Sequence, residues 1–375
     1  MFESFLMGGF ECSTHRNYAG KRIDVIASTE HHLFAESDYK RLLGLGMQTA
    51  RDGIRWHLIE RKPYEYDWSS VLEQIRSANE TGIQIIWDLF HYGYPDDLDL
   101  FAPEFVNRFA RLAKSFVELL IAKGEKRPCI CLVNEISFFA WAAGQVGIFY
   151  PFAKDRGDEM KRQLVRASIA AAEEIKKIAP DAVLMQTDPA VRVLPSKPAD
   201  KTAAQNFHNA QYHALDMLMG RAEPEIGGNI NYLDIIGVNY YCYNQWRHPS
   251  GERIWRGQEN YQPFSEILEE FYRHFQKPLF IAETGIEDEA RPEWFAYVCD
   301  EVRIARSKGV PVLGICLYPI VNHPGWDDDR HCRNGLWDYA DESGNREIYQ
   351  PLAAEIEKQK KFFQAGSFLV KKARK

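Results

Sequence analysis

The sequence lacks several features that would assign it to a common class of protein. No apolar run reaches the roughly 18 residues that cross a membrane. The first ten residues contain neither a basic residue nor a long apolar stretch, so they are a poor secretory signal. The formal net charge of -7 gives no excess of positive charge for binding nucleic acid or an anionic membrane surface. We therefore expect a small-molecule partner rather than nucleic acid or a membrane.

The cysteines do not form the pattern of a disulfide framework or a zinc ribbon. There are seven, an odd number, at positions 12, 129, 131, 242, 299, 316 and 332. Their spacing lacks the close pairs that such frameworks use. We expect reduced thiols in a cytoplasmic protein, and neither a metal nor an organic cofactor.

The chain also lacks any Gly/Ser-rich or Pro-rich linker, internal repeat or low-complexity block. With 375 residues, 45% of them hydrophobic, it is long enough for one large core. We expect one catalytic domain over residues 1–365. A basic tail follows over residues 366–375, which we expect to be solvated, although it could contact an anionic partner.

Short β-rich apolar segments alternate with longer segments of helical period, a pattern typical of βα units around a parallel sheet. The predicted strands are Phe5–Cys12, Thr49–Trp56, Ile83–Phe90, Cys129–Glu135, Ala182–Thr187, Ile235–Tyr241, Leu279–Glu283 and Val312–Tyr318. Eight strands of this kind indicate an α/β fold consisting of a single (β/α)₈ TIM barrel.

Seven helices are predicted between and after these strands, and most end beside a Gly or Pro that cannot continue a helix. They are Ser69–Glu80, Pro103–Lys123, Asp158–Ile178, Gln205–Met219, Pro263–Phe275, Pro292–Lys308 and Gln350–Phe363. The pair His31-His32 lies outside all of them, and we expect it to be loop surface.

Two glutamates stand at the ends of predicted strands, where the active site of a TIM barrel gathers. Glu135 ends the fourth strand and Glu283 ends the seventh. A buried carboxylate is costly unless it is paired or hydrogen-bonded, so both residues could be purely structural. Cleavage of a glycoside gives an alternative reason for them, because that reaction uses one carboxylic acid and one carboxylate in different environments.

Several motifs resemble those of the clan A glycoside hydrolases, and within that clan those of glycoside hydrolase family 1, the β-glucosidase and β-galactosidase group. In chain order they are Phe5-Leu6-Met7-Gly8, Asp88-Leu89-Phe90-His91-Tyr92-Gly93-Tyr94-Pro95, Leu132-Val133-Asn134-Glu135, Asp234-Ile235-Ile236-Gly237-Val238-Asn239-Tyr240-Tyr241 and Phe280-Ile281-Ala282-Glu283-Thr284-Gly285-Ile286. The resemblance covers nearly the whole chain, and the order of the motifs is more specific than any one of them.

This resemblance implies Glu135 as general acid/base and Glu283 as nucleophile of a retaining enzyme, with the carboxyl groups about 5–5.5 Å apart. It implies that Asn134 binds the sugar 2-hydroxyl. It further implies that Arg55 and Tyr241 hold Glu283 ionised. In the same motifs, His91 and Asn239 are expected to contact or support the substrate.

The sequence departs from the family at the residues that recognise the sugar. His15 aligns with the first-strand Gln, and Gly325 stands where the eighth-strand Glu is expected. We expect Tyr318, Trp326 and Asp327 to contribute to this wall, with the last two replacing the missing Glu. The loop from Asp327 to Asp329 could instead bind a cation, although internal charge pairing is the favoured interpretation.

The sequence therefore predicts a retaining, β-glycosidase-like hydrolase that acts on a small carbohydrate. One alternative is another clan A enzyme, such as a family 5-like or 42-like hydrolase or a transglycosylase. Another is a sugar-binding barrel without catalysis, since barrels serve many functions. The sugar, the linkage and the oligomeric state are left open by the sequence.

Overall fold

The computed structural model describes the backbone of residues 1–372 and the side chains of residues 1–364. Eight parallel strands form a closed barrel. They are β1 (Leu6–Gly9), β2 (Thr49–Gly53), β3 (Gln84–Asp88), β4 (Cys129–Asn134), β5 (Val183–Pro189), β6 (Ile235–Asn239), β7 (Leu279–Thr284) and β8 (Val312–Leu317). All eight predicted strands are present, and the predicted TIM-barrel fold is confirmed.

The barrel closes through its shortest strand. β1 pairs with β8, where Leu6 lies opposite Ile315, and with β2, where Gly8 lies opposite Ala50. Every other strand pairs with the next barrel strand along the chain. The carboxyl ends of all eight strands therefore point to the same mouth of the barrel.

Eight longer helices surround the barrel. They are α1 (His31–Gly44), α2 (Ser69–Thr81), α3 (Pro103–Ala122), α4 (Gly157–Ile178), α5 (Lys201–Leu218), α6 (Phe264–Phe275), α7 (Arg291–Ser307) and α8 (Gln350–Lys372). The seven predicted helices correspond to α2 through α8. Since α8 continues to Lys372, it passes the boundary predicted at residue 366, and residues 373–375 of the predicted tail lie outside the described residues.

The expectation that His31-His32 is loop surface is wrong, because both residues belong to α1 and the first of them, His31, is not at the surface. This residue begins α1 and is fully buried, with Nδ1 2.8 Å from Asp38 and Nε2 2.9 Å from Asp52. Burial alone would lower the pKa of His31, but the charges and hydrogen bonds of Asp52 and Asp38 raise it to about 9. The imidazole therefore links α1 to β2 as a buried cation.

Short elements complete the loops. The short helices are Val25–Ser28, Trp56–Ile59, Ile136–Phe139, Pro198–Asp200, Pro224–Ile226, Ile230–Tyr232 and Asp288–Ala290, with a π-helical segment at Ala140–Gln145. Three small two-stranded sheets pair Arg192–Pro195 with Gln245–His248, His323–Pro324 with His331–Cys332, and Trp337–Ala340 with Arg346–Ile348.

The core has two parts. The barrel interior is filled by side chains such as Met7, Met185 and Phe280, while a larger apolar layer separates the strands from the helices. All seven cysteines carry free thiols. No helix in the described part of the chain has both the length and the apolar composition needed to cross a membrane.

Candidate active site

A fully buried arginine joins four strands at the mouth of the barrel. Arg51 on β2 donates from Nε and Nη2 to the two carboxylate oxygens of Asp88, at 3.0 and 2.7 Å. Its Nη2 also donates to Asn134 Oδ1 at 2.7 Å, and its Nη1 donates to Glu283 Oε1 at 2.8 Å and to the carbonyl of Ala282 at 3.1 Å. Because a buried cation is costly without such partners, these contacts fix the side chains of β3, β4 and β7 around it.

The structure corrects the expectation for Arg55. β2 ends at Gly53, so Arg55 lies beyond the strand and immediately precedes the short helix Trp56–Ile59. Its guanidinium contacts Asp24 at 3.4 Å and the carbonyl of Ser70 at 2.8 Å. Arg51, four residues earlier, is the arginine that pairs with Glu283.

Glu283 lies at the end of β7 and is 5% exposed. Besides the ion pair with Arg51, its Oε2 accepts a hydrogen bond from Tyr241 Oη at 2.9 Å. Burial, followed by the charge of Glu283, raises the pKa of Tyr241 well above its usual value, so this phenol keeps its proton. Glu283 is thus held between a cation and a hydroxyl donor.

Glu135 follows β4 in a left-handed backbone conformation, with φ of 47°. Such a conformation is strained for a residue with a side chain and is often found at functional sites. The carboxyl accepts hydrogen bonds from Tyr92 Oη at 2.6 Å and from Asn239 Nδ2 at 2.9 Å. Burial and the negative charge of Glu283 raise the pKa of Glu135 to about 8, so it is mostly protonated at neutral pH.

Asn134 is held from both ends of its amide. Its Oδ1 accepts from Arg51 and from Thr187 Oγ1 at 2.7 Å, and its Nδ2 lies 3.0 Å from both His91 Nε2 and Tyr92 Oη. The other ring nitrogen of His91 lies 3.1 Å from Asp88. His91 and Asn134 are therefore part of one network with Arg51.

A wall of aromatic rings lies next to this network. The ring of His15 is 4.0 Å from Phe149, 4.8 Å from Trp326 and 6.1 Å from Tyr92, measured between centroids. Burial, with smaller contributions from His91 and Arg22, lowers the pKa of His15 to about 3. The imidazole is therefore neutral at physiological pH.

Several buried polar atoms in and beside the aromatic wall have no hydrogen-bond partner among the described residues. They are both ring nitrogens of His15, Nε1 of Trp326 and Oδ1 of Asn239. Buried polar groups are normally satisfied, because an unpaired one costs free energy. These atoms therefore have unused hydrogen-bonding capacity that a polar ligand could satisfy.

Tyr318 and Asp327 differ in burial. Tyr318 is 1% exposed, with Arg51 5.0 Å from its ring centroid and its ring parallel to that of His91. Asp327 is exposed on the loop after Trp326. In the same loop, Asp328 pairs with Arg330 at 3.5 Å, which is the expected internal charge pairing, whereas Asp329 accepts a hydrogen bond from Lys21 outside the loop.

One group of side chains in the described residues has the composition of a metal site. Ligand atoms of Cys12, Asp88 and His91 lie within 4.8 Å of one another. However, both oxygens of Asp88 accept hydrogen bonds from Arg51, and Cys12 Sγ lies 3.2 Å from His91 Nδ1. The group is better described as a hydrogen-bonded cluster, because a cation there would lie against a guanidinium.

Solved structures with the same architecture come from Thermotoga maritima. The β-glucosidase in complex with deoxynojirimycin matches with a TM-score of 0.77 and 16% identity over 96% of this chain and 99% of that chain. The chain shares its fold with this β-glucosidase. The complex with castanospermine has a TM-score of 0.76 at 16% identity, and the structure described as the family 1 β-glucosidase has 0.76 at 17%, each covering 96% of this chain and 98% of the other. No family model and no curated protein matches the sequence.

Sequence reasoning missed three residues that shape this site. Arg51 lies inside a predicted strand rather than at its end, although a charged residue in the interior of a barrel strand is itself a signal of a buried partner. Tyr92 was part of a recognised motif but was not selected as a site residue. Asp188 lies at the end of β5, one residue beyond the predicted strand, where a polar residue is a candidate by the same rule that found Glu135.

Proposed function

We propose that this chain is a retaining, β-glycosidase-like hydrolase of a small carbohydrate. The observation that carries the proposal is the unequal environment of two buried carboxyl groups at the same mouth of the barrel. Glu283 has a cation and a hydroxyl donor, whereas Glu135 has only neutral donors and a negative neighbour. This difference matches the division of labour between a nucleophile and a proton donor.

The reaction would proceed in two displacements. Glu283 attacks the anomeric carbon, and the bond to the leaving oxygen breaks as Glu135 transfers its proton to that oxygen. In the second step Glu135, now a carboxylate, removes a proton from water. The resulting hydroxide attacks the anomeric carbon, which releases the sugar with retained configuration and regenerates Glu283.

The remaining residues of the site would bind the sugar. Asn239 Oδ1, Trp326 Nε1 and His15 offer the unused hydrogen-bonding capacity described above. We assign the 2-hydroxyl to Asn134, supported by its fixed orientation, and a further hydroxyl to His91. Because His15 is neutral, this wall suits an uncharged sugar ring.

The free thiols support a cytoplasmic location for this enzyme. Six of the seven cysteines are buried, and none is paired. Unpaired cysteines are usual in reducing compartments. We propose that the enzyme acts there without a cofactor, a metal, nucleic acid or a membrane surface.

A panel of 2-deoxy-2-fluoro glycosides with a dinitrophenol leaving group tests the proposal. Fluorine slows the second displacement, so mass spectrometry should find one sugar attached to Glu283 after proteolysis. A Glu135→Ala variant should still be labelled, because dinitrophenolate leaves without a proton. The panel would also reveal which sugars the enzyme accepts.

The matched control is Glu287→Gln, which removes a partly exposed carboxylate that is paired with Arg330 near the same strand end. This variant should be labelled and should hydrolyse aryl glycosides like the wild type. The assignment would be wrong if Glu283→Ala hydrolysed every aryl glycoside at the wild-type rate. Complete inertness of the folded wild type would favour a sugar-binding barrel without catalysis.

A further inference from the structure

Asp188 is a buried carboxyl group that the proposed mechanism does not use. It lies on β5 and is fully shielded from solvent. Its two oxygens accept hydrogen bonds from the same residue: Oδ1 from the backbone N–H of Ser137 at 3.0 Å and Oδ2 from the Ser137 hydroxyl at 2.8 Å. Ser137 is two residues after Glu135, so Asp188 is hydrogen-bonded to the turn that contains the proposed acid/base.

This turn needs such a contact. Glu135 is the capping residue of the helix Ile136–Phe139, but its side chain does not cap that helix because it accepts hydrogen bonds from Tyr92 and Asn239 instead. The first N–H groups of a helix are unsatisfied unless a side chain accepts from them. Asp188 supplies that acceptor from the neighbouring strand.

β5 holds Glu135 from its other side as well. The backbone N–H of Glu135 donates to the carbonyl of Thr187 at 3.0 Å. Two consecutive residues of β5 therefore bind the backbone on each side of the left-handed residue. A rigid frame of this kind orients the carboxyl group of Glu135 toward the mouth of the barrel.

We propose that Asp188 is a positioning residue for Glu135: it fixes the left-handed turn through Ser137 and places a second negative charge behind the acid/base. The proposal rests on the acid/base role proposed for Glu135. Asp188 would have a geometric effect on the orientation of Glu135 and an electrostatic effect on its pKa. Different substitutions of Asp188 separate these two effects.

The electrostatic effect follows from the charge of Asp188. Burial raises the pKa of Asp188 to about 7, opposed by the hydrogen bonds from Ser137 and by the charge of Lys161 on α4. The pKa of Glu135 is about 8, and the charge of Asp188 is among the causes that raise it. A negative charge on Asp188 therefore opposes the loss of the proton from Glu135.

Other titratable groups also face Glu135 and stay in place in the test. Glu283 is the negative charge with the largest effect on Glu135, and the hydroxyl of Tyr92 donates to the carboxyl group. Glu135 also acts on the phenols of Tyr241 and Tyr243, whose pKa values burial raises above their usual range. None of these contacts involves Asp188, so its removal changes one charge.

Asp188→Asn tests the electrostatic effect. The amide removes the charge but keeps an oxygen that can accept from Ser137. The titration of Glu135, and with it the basic limb of the kcat/KM profile, should move to lower pH by about 0.5. Asp188→Ala should move the limb equally and should also lower kcat by about tenfold, because the turn loses its frame.

Ser137→Ala is the matched comparison, since it removes one hydrogen bond and keeps the carboxyl group of Asp188. Because that hydrogen bond lowers the pKa of Asp188, the basic limb of this variant should move in the same direction as in Asp188→Asn but by less. If Asp188 has only a structural role, both Asp188 variants should have a lower melting temperature and an unchanged basic limb of the kcat/KM profile. That result would overturn the proposal.

Carbon-13 NMR of glutamate carboxyl groups provides a readout that needs no substrate, with Glu135→Gln identifying the resonance. In the wild type, the Glu135 resonance should respond to the ionisation of Asp188 near pH 7 as well as to its own, which keeps the test open even if a variant fails to fold. A Glu135 resonance that is insensitive to Asp188 would overturn the proposal. A sensitive resonance in a protein that hydrolyses no glycoside would count against the proposed function alone.

Discussion

Arg51 uses all five of its N–H donors inside the barrel, on two carboxylates, one amide and one carbonyl. Replacement by Lys keeps a charge but leaves most of these acceptors unpaired. We expect Arg51→Lys to lower the free energy of unfolding by roughly 2–4 kcal/mol. Urea denaturation followed by circular dichroism measures this value without depending on any activity.

Arg55→Lys provides the comparison, because Arg55 makes two contacts and neither involves the carboxyl network. We expect a loss of no more than about 1 kcal/mol for this variant. If both substitutions cost the same, the central position of Arg51 would be refuted.

The same pair of arginines shows what could be predicted at the level of residues. Glu135 and Glu283 were found because each ends an apolar strand, a property of the local sequence. The role that the resemblance implies for Arg55 requires a β2 that reaches Trp56, whereas β2 ends at Gly53. A shift of three residues at a strand end is enough to exchange a residue in the site for one outside it.

At the level of elements, α1 depends on the buried charge of His31. A pKa raised from its ordinary value of about 6.5 to about 9 means that the folded protein holds the proton more tightly than the unfolded chain. The resulting stabilisation, about 3 kcal/mol, is fully present below about pH 6.5 and is lost as the pH rises through 9. His31→Gln should therefore destabilise the protein strongly at pH 6 and much less at pH 10.

Thermal unfolding across this pH range measures the effect as a difference between wild type and variant. His32→Gln is the control, because burial lowers the pKa of His32 and the sign of its pH dependence is opposite. A His31→Gln penalty that stays constant from pH 6 to pH 10 would contradict the assignment of a buried imidazolium.

The buried polar residues of α1 also explain why the sequence did not reveal this helix. Its buried positions are His31, Ala35, Asp38, Tyr39 and Leu42, which have helical spacing but include an imidazole and a carboxylate. An apolar periodicity is therefore not visible. The helices α2 through α8 were predictable because their buried faces are mainly apolar and many end at Gly or Pro.

At the level of the whole molecule, closure of the barrel depends on close packing at β1. A Cβ atom on Gly9 would overlap the ring of Tyr318 and approach Cys316 Sγ to 2.9 Å. We expect Gly9→Ala to destabilise the protein by about 1–3 kcal/mol, since the core must move to accept the methyl group. The displaced Tyr318 ring lies against Arg51, so the proposed sugar binding should weaken too.

Gly44→Ala is the matched substitution, because a Cβ there would meet no atom of the described residues within 4 Å, apart from the backbone of its own helix. It should leave stability unchanged or raise it slightly. Calorimetry of the two variants distinguishes the predictions, and equal melting temperatures would show that β1 tolerates a side chain.

The overall fold was predictable because each of the eight strands and seven helices has its own pattern of apolar residues within a short segment of sequence. The network at the mouth was only partly predictable, since it joins residues 37 to 232 positions apart along the chain. The contacts of His15 with Phe149 and Trp326 belong to the same category. Local patterns identify the positions of such residues, but only the closed barrel determines their neighbours.

The separation between the Arg51 network and the aromatic wall has a consequence for protein engineering. The network residues share hydrogen bonds, so exchanging one of them disturbs several others. His15 and Trp326, in contrast, contact their neighbours mainly through ring packing and carry no hydrogen bond to Arg51 or Glu283 among the described residues. Libraries that vary His15 and Trp326, and that keep Tyr92 because it donates to Glu135, can therefore test the proposed sugar specificity while the carboxyl pair is left intact.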